Sequence, residues 1–262
     1  MRRLHKTILL ALAVLIFGLL SANVNAAAEQ TAETQGASQQ RDWEFVLVVY
    51  GWMADLEATA PNGANIDISF SDIMDNLDFT FMSAFGVRKN RWSFMVDAIY
   101  LDLDDNSNSN INEVLKLTDV YLKNWIINPY VSYQLLRGEK GSLHMLAGAR
   151  YFWLDTGLEI RTRPPLPPEK VKESGKDDVW DAVVGIKGEL KLAERWFIPY
   201  VLDIGGGNSD YTYQAMAGIG YQFEKFELLA VYRYMHWEFD NNFSLLDELT
   251  VKGPAIGARF TF

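Results

Sequence analysis

The feature that most constrains this chain is a period of two that recurs from about residue 43 to its last residue, Phe262. Tyr211, Tyr213, Ala215, Ala217, Ile219, Tyr221 and Phe223 alternate with Thr212, Gln214, Gly218, Gly220 and Gln222. The final stretch sets Phe262, Phe260, Ala258 and Ile256 against Thr261, Arg259, Gly257 and Ala255. Side chains alternate faces along a β-strand, so each stretch is a strand with one apolar and one polar face. The same alternation runs through 43–54, 79–88, 92–100, the lower half of 114–136, 143–154, 180–192, 196–202 and 226–234. That makes about ten strands, each near the ~9–11 residues of a tilted membrane strand.

The connections decide where the apolar face points. Those at 89–90, 137–141, 193–194 and 224–225 are short, and those at 59–77, 104–113, 158–178, 205–210 and 240–248 are long and polar. Short and long alternate strictly. A water-soluble sandwich has no reason to gather its long loops at one end, whereas a membrane barrel has short turns on one side and long loops on the other. The expected fold is therefore all-β: a transmembrane antiparallel up-and-down β-barrel of about 10 strands, with 8 or 12 as alternatives. Its apolar faces point outward into lipid. An even strand number returns the end of the chain to the side where the barrel began.

The N-terminus fits an exported chain. Arg2, Arg3 and Lys6 precede the apolar run 8–20, and small residues around Ala26 offer cleavage sites, so residues 1–26 are expected to be a signal peptide. Residues 27–41 are small and polar, a flexible periplasmic lead-in, and 42–262 form the barrel domain. Beyond residue 28 no run approaches the ~20 apolar residues of a spanning helix. There is no cysteine, so the exported domain folds without disulfides. The formal charge is −10, and about −13 without the three leading cations, which opposes nucleic-acid binding. Within the first long connection, Ile66, Ile68 and Phe70 alternate with Asp67 and Ser69, and 71–77 has the composition of a capped helical turn with Ser71 as its N-cap. This segment, 58–77, is expected to be an external flap, with a plug or additional strands as the alternatives.

Aromatic residues, 13% of the chain, fall into two bands. Trp43, Trp92, Tyr133, Trp196, Tyr221, Phe223, Phe226, Phe260 and Phe262 lie beside the short turns; Phe79, Tyr100, Trp125, Tyr151, Trp153, Trp180, Tyr211, Tyr213 and Tyr234 lie toward the long loops. Indole and phenol rings favour the boundary between hydrocarbon and headgroups, so two bands imply two membrane surfaces. The inward faces carry Glu44, Asp97, Arg150, Asp181, Lys187, Glu189, Asp203, Glu227, Arg233 and Arg259. A barrel this narrow is filled by side chains, and buried ions must pair with one another. The expectation is an interlocked ionic interior, with a narrow water-filled pore as the alternative. If the last strand closes against 43–54, Glu44 is the expected partner of Arg259.

Catalysis has little support. An enzyme at the barrel rim needs a histidine beside a nucleophile or carboxylate, and the mature chain holds only His144 and His236. Asp240 and Ser244 lie near His236 in sequence, but no spacing singles out a nucleophile. Acidic residues crowd two loops (Asp102, Asp104, Asp105 and Glu113; Glu238, Asp240, Asp247 and Glu248) without the spacing of a calcium loop. No metal site or cofactor is expected. The segment 161–168, RTRPPLPP, reads as a stiff polyproline-like spacer.

With its signal peptide, alternating strands, aromatic bands and terminal Gly257-Ala-Arg-Phe-Thr-Phe262, the chain resembles the small outer-membrane β-barrel proteins of Gram-negative bacteria. The run from Asp203-Ile-Gly-Gly-Gly-Asn-Ser-Asp210 to Gly220-Tyr-Gln-Phe223 resembles poorly characterised proteobacterial members. The resemblance implies location in the cell outer membrane, contact with outer-membrane lipid and lipopolysaccharide, and passage through the barrel-assembly machinery. It also implies an assembly signal at the C-terminal aromatic, Phe262, with Phe260 and Ile256 in step behind it. The oligomeric state is left open. The functional expectation is a structural or interaction barrel, with a narrow channel or passive transporter and a rim hydrolase as alternatives.

Overall fold

The computed structural model describes residues 43–105, 109–110, 115–162, 170–239 and 243–262; the expected signal peptide and lead-in, and most of the Pro-rich segment, lie outside them. Alternating aromatic and β-branched residues, which suit a pleated surface, build β1 (Glu44–Trp52), β2 (Asp55–Thr59), β3 (Asn65–Ile68), the short helix α1 (Phe70–Asp75), β4 (Leu77–Lys89), β5 (Trp92–Asp105) and β6 (Ser109–Asn110). They continue with β7 (Leu115–Gly138), β8 (Gly141–Thr162), β9 (Lys170–Lys191), β10 (Trp196–Gly207), β11 (Ser209–Gln222), β12 (Glu227–Phe239) and β13 (Glu248–Thr261).

Ten of these strands close a barrel in the order β1-β4-β5-β7-β8-β9-β10-β11-β12-β13, and β13 pairs back to β1. All pairings are antiparallel. Closure satisfies backbone groups inside the wall, which a lipid environment demands. The outer face is apolar throughout the belt: Val184, Phe85 and Trp180 are 59%, 53% and 50% exposed. In water such a belt would be an aggregation surface; against hydrocarbon it is solvated.

Both expected aromatic bands are present as ring pairs. At the turn end Trp92 meets Tyr133 and Trp196 meets Tyr221, each at 4.8 Å; at the loop end Tyr100 meets Trp125 and Tyr151 meets Trp180, each at 4.6 Å. These contacts follow directly from cross-strand register.

The loop end departs from the sequence expectation in three places. The segment 58–77 is a β-hairpin followed by α1. Its helix is capped by Ser69 rather than Ser71, because Ser69 accepts from Asp72 N while the Asp72 side chain accepts from Ser69 N. The connection 158–178 is mostly strand, as β8 runs to Thr162 and β9 starts at Lys170. The connection 205–210 shrinks to Asn208, between Gly207 and Ser209. With 22 to 24 residues each, β7, β8 and β9 extend about ten residues beyond what a bilayer needs and form a three-stranded fin above the barrel.

The hairpin does not change the strand count, because it hangs on β13 outside the barrel ring. The turn-end part of β13 pairs with β1, and its first part, Glu248 to Lys252, pairs with β2. Between them lies Pro254, which has no N–H to give; Met53 N donates to Pro254 O at 2.9 Å and the β1–β2 run breaks at Met53–Ala54. Beyond the break β2 folds back onto β3, so the β1–β4 ladder stops at Val49–Ser83. Residues 77–82 of β4 thus have no strand partner on that edge among the described residues.

Candidate functional site

The lumen brings together side chains from distant parts of the chain. Inward parity puts Asp97 on β5, Asn128 on β7, Arg150 on β8, Asp203 on β10, Gln214 on β11 and Arg233 on β12 at similar height. They form a closed ring of hydrogen bonds. Arg150 donates from Nε to Asn128 Oδ1 (3.0 Å) and from Nη2 to Asp203 Oδ1 (2.6 Å). Gln214 Nε2 donates to Asp203 Oδ2 (2.8 Å) and Gln214 Oε1 accepts from Arg233 Nε (2.8 Å). Arg233 Nη2 donates to Asp97 Oδ2 (2.7 Å), and Asn128 Nδ2 closes the circuit on the same oxygen at 3.3 Å.

Two further groups brace it. Tyr50 OH donates to Asp97 Oδ1 at 2.6 Å and accepts from Arg233 Nη1 at 3.2 Å; Thr212 Oγ1 accepts from Arg150 Nη1 at 2.8 Å and donates to His236 O at 2.8 Å. Two guanidinium groups face two carboxylates, so the ring is neutral. Hydrogen bonds to charged groups are worth about 1.5–3 kcal/mol each when geometry is good, and a buried pair survives only if its remaining polar atoms are satisfied. The ring spans the lumen between opposite walls.

Below the ring, toward the short turns, sits a second ionic tier. Arg259 contacts Glu227 and lies 2.5 Å from Glu189, while Glu44 pairs with Arg88. The expected Glu44–Arg259 pair is therefore absent. The β1–β13 register sets Arg259 opposite Val48, leaving Glu44 lower and facing Arg88 across β4, whereas β12 sets Glu227 directly beside Arg259. Lys187 Nζ lies over the Tyr130 ring at 4.8 Å. His144 is buried with no partner for Nδ1. Asp181 joins no ion pair among the described residues; its Oδ1 accepts from Ser209 N at 2.9 Å.

Above the ring the lumen is apolar, which corrects the expectation of an ionic interior throughout. Trp52, Phe152, Leu154, Val179, Met235, Trp237, Phe239, Leu249 and Val251 pack together with Phe243 and Leu246 from the β12–β13 connection. Trp237 and Trp52 cover the two arginines, at 5.6 Å from Arg150 Cζ and 5.1 Å from Arg233 Cζ. Beyond the expected charges, the interior draws on Asn128, Gln214, Phe152, Met235 and Trp237. Phe152, Met235 and Trp237 lie on the same parity as Arg150 and Arg233, and Asn128 and Gln214 on that of Asp97 and Asp203, so the alternation itself carried the signal.

His236 faces outward against Tyr211 and Tyr213, with Nδ1 at 2.8 Å from Thr250 Oγ1. Ser244 is engaged by Asp177 instead, and Asp240 lies outside the described residues. No cluster of metal-ligating side chains occurs among the described residues.

No protein-family model and no curated protein sequence matches the chain. Its strand architecture is similar to that of solved structures. The attachment invasion locus protein Ail of Yersinia pestis is 12% identical, with a TM-score of 0.34, covering 84% of this chain and 98% of its own. The transport unit of the autotransporter AIDA-I from Escherichia coli is 10% identical, with a TM-score of 0.40, covering 92% and 98%. The toluene transporter TbuX of Ralstonia pickettii is 10% identical, with a TM-score of 0.36, covering 84% and 89%.

Proposed function

We propose that this protein is an outer-membrane barrel closed to solute flux, with a structural or interaction role exercised through the parts that project beyond the bilayer. The observation that carries this reading is the closed ring of Asp97, Asn128, Arg150, Asp203, Gln214 and Arg233. A channel at this point would have to break several buried charge-assisted hydrogen bonds at once. The apolar tier above it adds a second seal. The fin of β7, β8 and β9 is the interaction surface: the outer face at its base sets Lys123, Asp155 and Lys176, with Asp102 of the neighbouring β5, in one cross-strand row of alternating charge, directly above the aromatic band. Such a row suits the headgroup layer of outer-membrane lipid and lipopolysaccharide.

Purified protein in planar bilayers tests the reading. Wild type should show no conductance steps. Steady conductance by wild type would reject closure. Fractionation of cells, together with slower gel migration after heating in detergent, tests the location; recovery in the soluble fraction would reject it.

We further propose that Ile256, Phe260 and Phe262 serve as the assembly signal. They share the outward face of the closing strand, and Phe262, 72% exposed, pairs its backbone with Phe45. Deleting Phe262 should lower the folded yield in cells while leaving unassisted refolding into detergent nearly unchanged; equal loss in both would point to simple stability.

A further inference from the structure

Three buried polar atoms at the top of the ionic ring have no hydrogen-bond partner: Asp181 Oδ2, Ser209 Oγ and Trp237 Nε1. Their side chains belong to residues 1%, 3% and 0% exposed. Asp181 connects them, to Ser209 directly and to Trp237 through Arg150. Ser209 N donates to Asp181 Oδ1 at 2.9 Å, Asp181 stands opposite Arg150 in the β8–β9 ladder, and the Arg150 guanidinium lies 5.6 Å from the centre of the Trp237 ring. Leaving three such atoms unpaired in an apolar surround is unfavourable, and a native structure rarely tolerates it without a role. A carboxylate oxygen needs a donor, an indole N–H needs an acceptor, and a serine hydroxyl is either. One hydroxyl group can answer both needs.

Above these atoms the wall is aromatic, and one of its rings comes from outside the wall. Phe243 stacks on Phe239 at 4.3 Å and meets Phe152 edge-on at 5.8 Å. The segment 243–246 makes no backbone–backbone hydrogen bond among the described residues. Its polar hold is Ser244, whose N and Oγ donate to Asp177 Oδ2 on the fin at 2.9 and 3.0 Å. Leu245 lies so close to Gly175 that any side chain there would overlap it. The ends of the segment are fixed separately, through Phe239 N to Asp247 O (2.8 Å) and Asp247 N to Thr59 O (2.7 Å). This is a side-chain plug on fixed ends, seated in an apolar well whose floor is the ionic ring.

We propose that 243–246 is a displaceable stopper in a blind ligand pocket, and that the occupant is a monocyclic aromatic molecule bearing a hydroxyl group. Its ring replaces that of Phe243 against Phe239 and Phe152, and its hydroxyl group reaches Asp181, Ser209 and Trp237. The pocket needs no passage through the ring, so it stands whether or not the barrel conducts.

The test uses the full barrel in detergent micelles, labelled with 5-fluorotryptophan and observed by fluorine NMR. A lipid-soluble relaxation agent broadens the outward tryptophans and leaves Trp52 and Trp237 sharp. Adding p-cresol should shift the lumenal resonances saturably, while the outward ones drift in proportion to concentration. Toluene, lacking the hydroxyl group, should need roughly tenfold more to reach the same shift. Asp177→Ala removes the acceptor that holds Ser244 and should tighten apparent binding about three- to tenfold, because more of the protein is already open. Asp177→Cys with Ser244→Cys, in a chain free of other cysteines, should abolish the saturable shift when oxidised and restore it when reduced. Proportional drift of every resonance in wild type and in Asp177→Ala overturns the pocket. Equal binding by the oxidised and reduced double variant overturns the stopper, and equal affinity for toluene and p-cresol overturns the role of the three polar atoms.

Discussion

Arg150 and Arg233 show how much of this fold depends on single side chains. Each is almost wholly buried and each holds one carboxylate and two neutral partners. Removing one cation strands an ionised aspartate in the lumen, which costs about 3–5 kcal/mol. Arg150→Met should therefore lower stability by that amount in urea unfolding from lipid vesicles. Arg150→Met combined with Asp203→Leu should recover only part of it: the stranded charge is gone, but Asn128 Oδ1 and Gln214 Nε2 lose their partners. A second residue-scale effect sits outside the membrane. Hydrogen bonds from Ser69, its hydroxyl first and then its backbone N–H, hold the Asp72 carboxyl below the usual aspartate range. A lowered pKa gives stability that is complete above the unfolded value, near 4, and is lost as pH falls through the folded value. Amide protection in α1 should thus be constant from pH 7 to 5 and fall only below about pH 4. Loss of protection already between pH 7 and 5 would show that Asp72 is not the cap that matters.

At the scale of elements, the sharpest expectation concerns β4. Over its turn-end half it is paired on both sides, but from 77 to 82 it is paired only with β5. Every second amide of 77–82 should exchange with solvent far faster than amides of 83–88, with a boundary at the Val49–Ser83 pair. Uniform protection along β4 would mean that another segment covers this edge. Trp52 N, which donates to Met82 Sδ at 3.2 Å, marks where the ladder gives out. Strand periodicity showed that 79–88 was a strand. It could not show that only half of one edge is covered, because that follows from where β1 breaks opposite Pro254.

For the whole molecule, the two lumenal tiers divide the work of filling the barrel. The ring fixes which walls face each other, and the apolar tier removes inward surface from water at about 25 cal/mol per Å². The unheated protein should run as a compact species on detergent gels and shift only on heating. Phe152→Ala, which cuts a buried ring from the apolar tier, should lower the temperature of that shift. The expected loss is about 3–5 kcal/mol, comparable with loss of an arginine. A much smaller loss would mean the ring alone holds the barrel shut.

What the sequence determined by itself was the class of fold and its orientation. Alternation from 43 to 262 and two aromatic bands specify a barrel whose apolar face meets lipid, because strand parity is a local property; the expected strict alternation of short and long connections did not hold, since 205–210 closes to Asn208 alone. The inward set was equally legible in principle, since Phe152, Arg150 and Asn128 announce their face by parity alone. Pairing was not. Which carboxylate meets Arg259 depends on the stagger between strands far apart in sequence, and the register put Glu227 and Glu189 there instead of Glu44. The fin, the one-residue turn at Asn208 and the inward fold of 243–246 likewise came only from the tertiary structure. Polar strand extensions look like loops to a pattern reader, and a loop phenylalanine becomes core only when the barrel mouth is there to receive it.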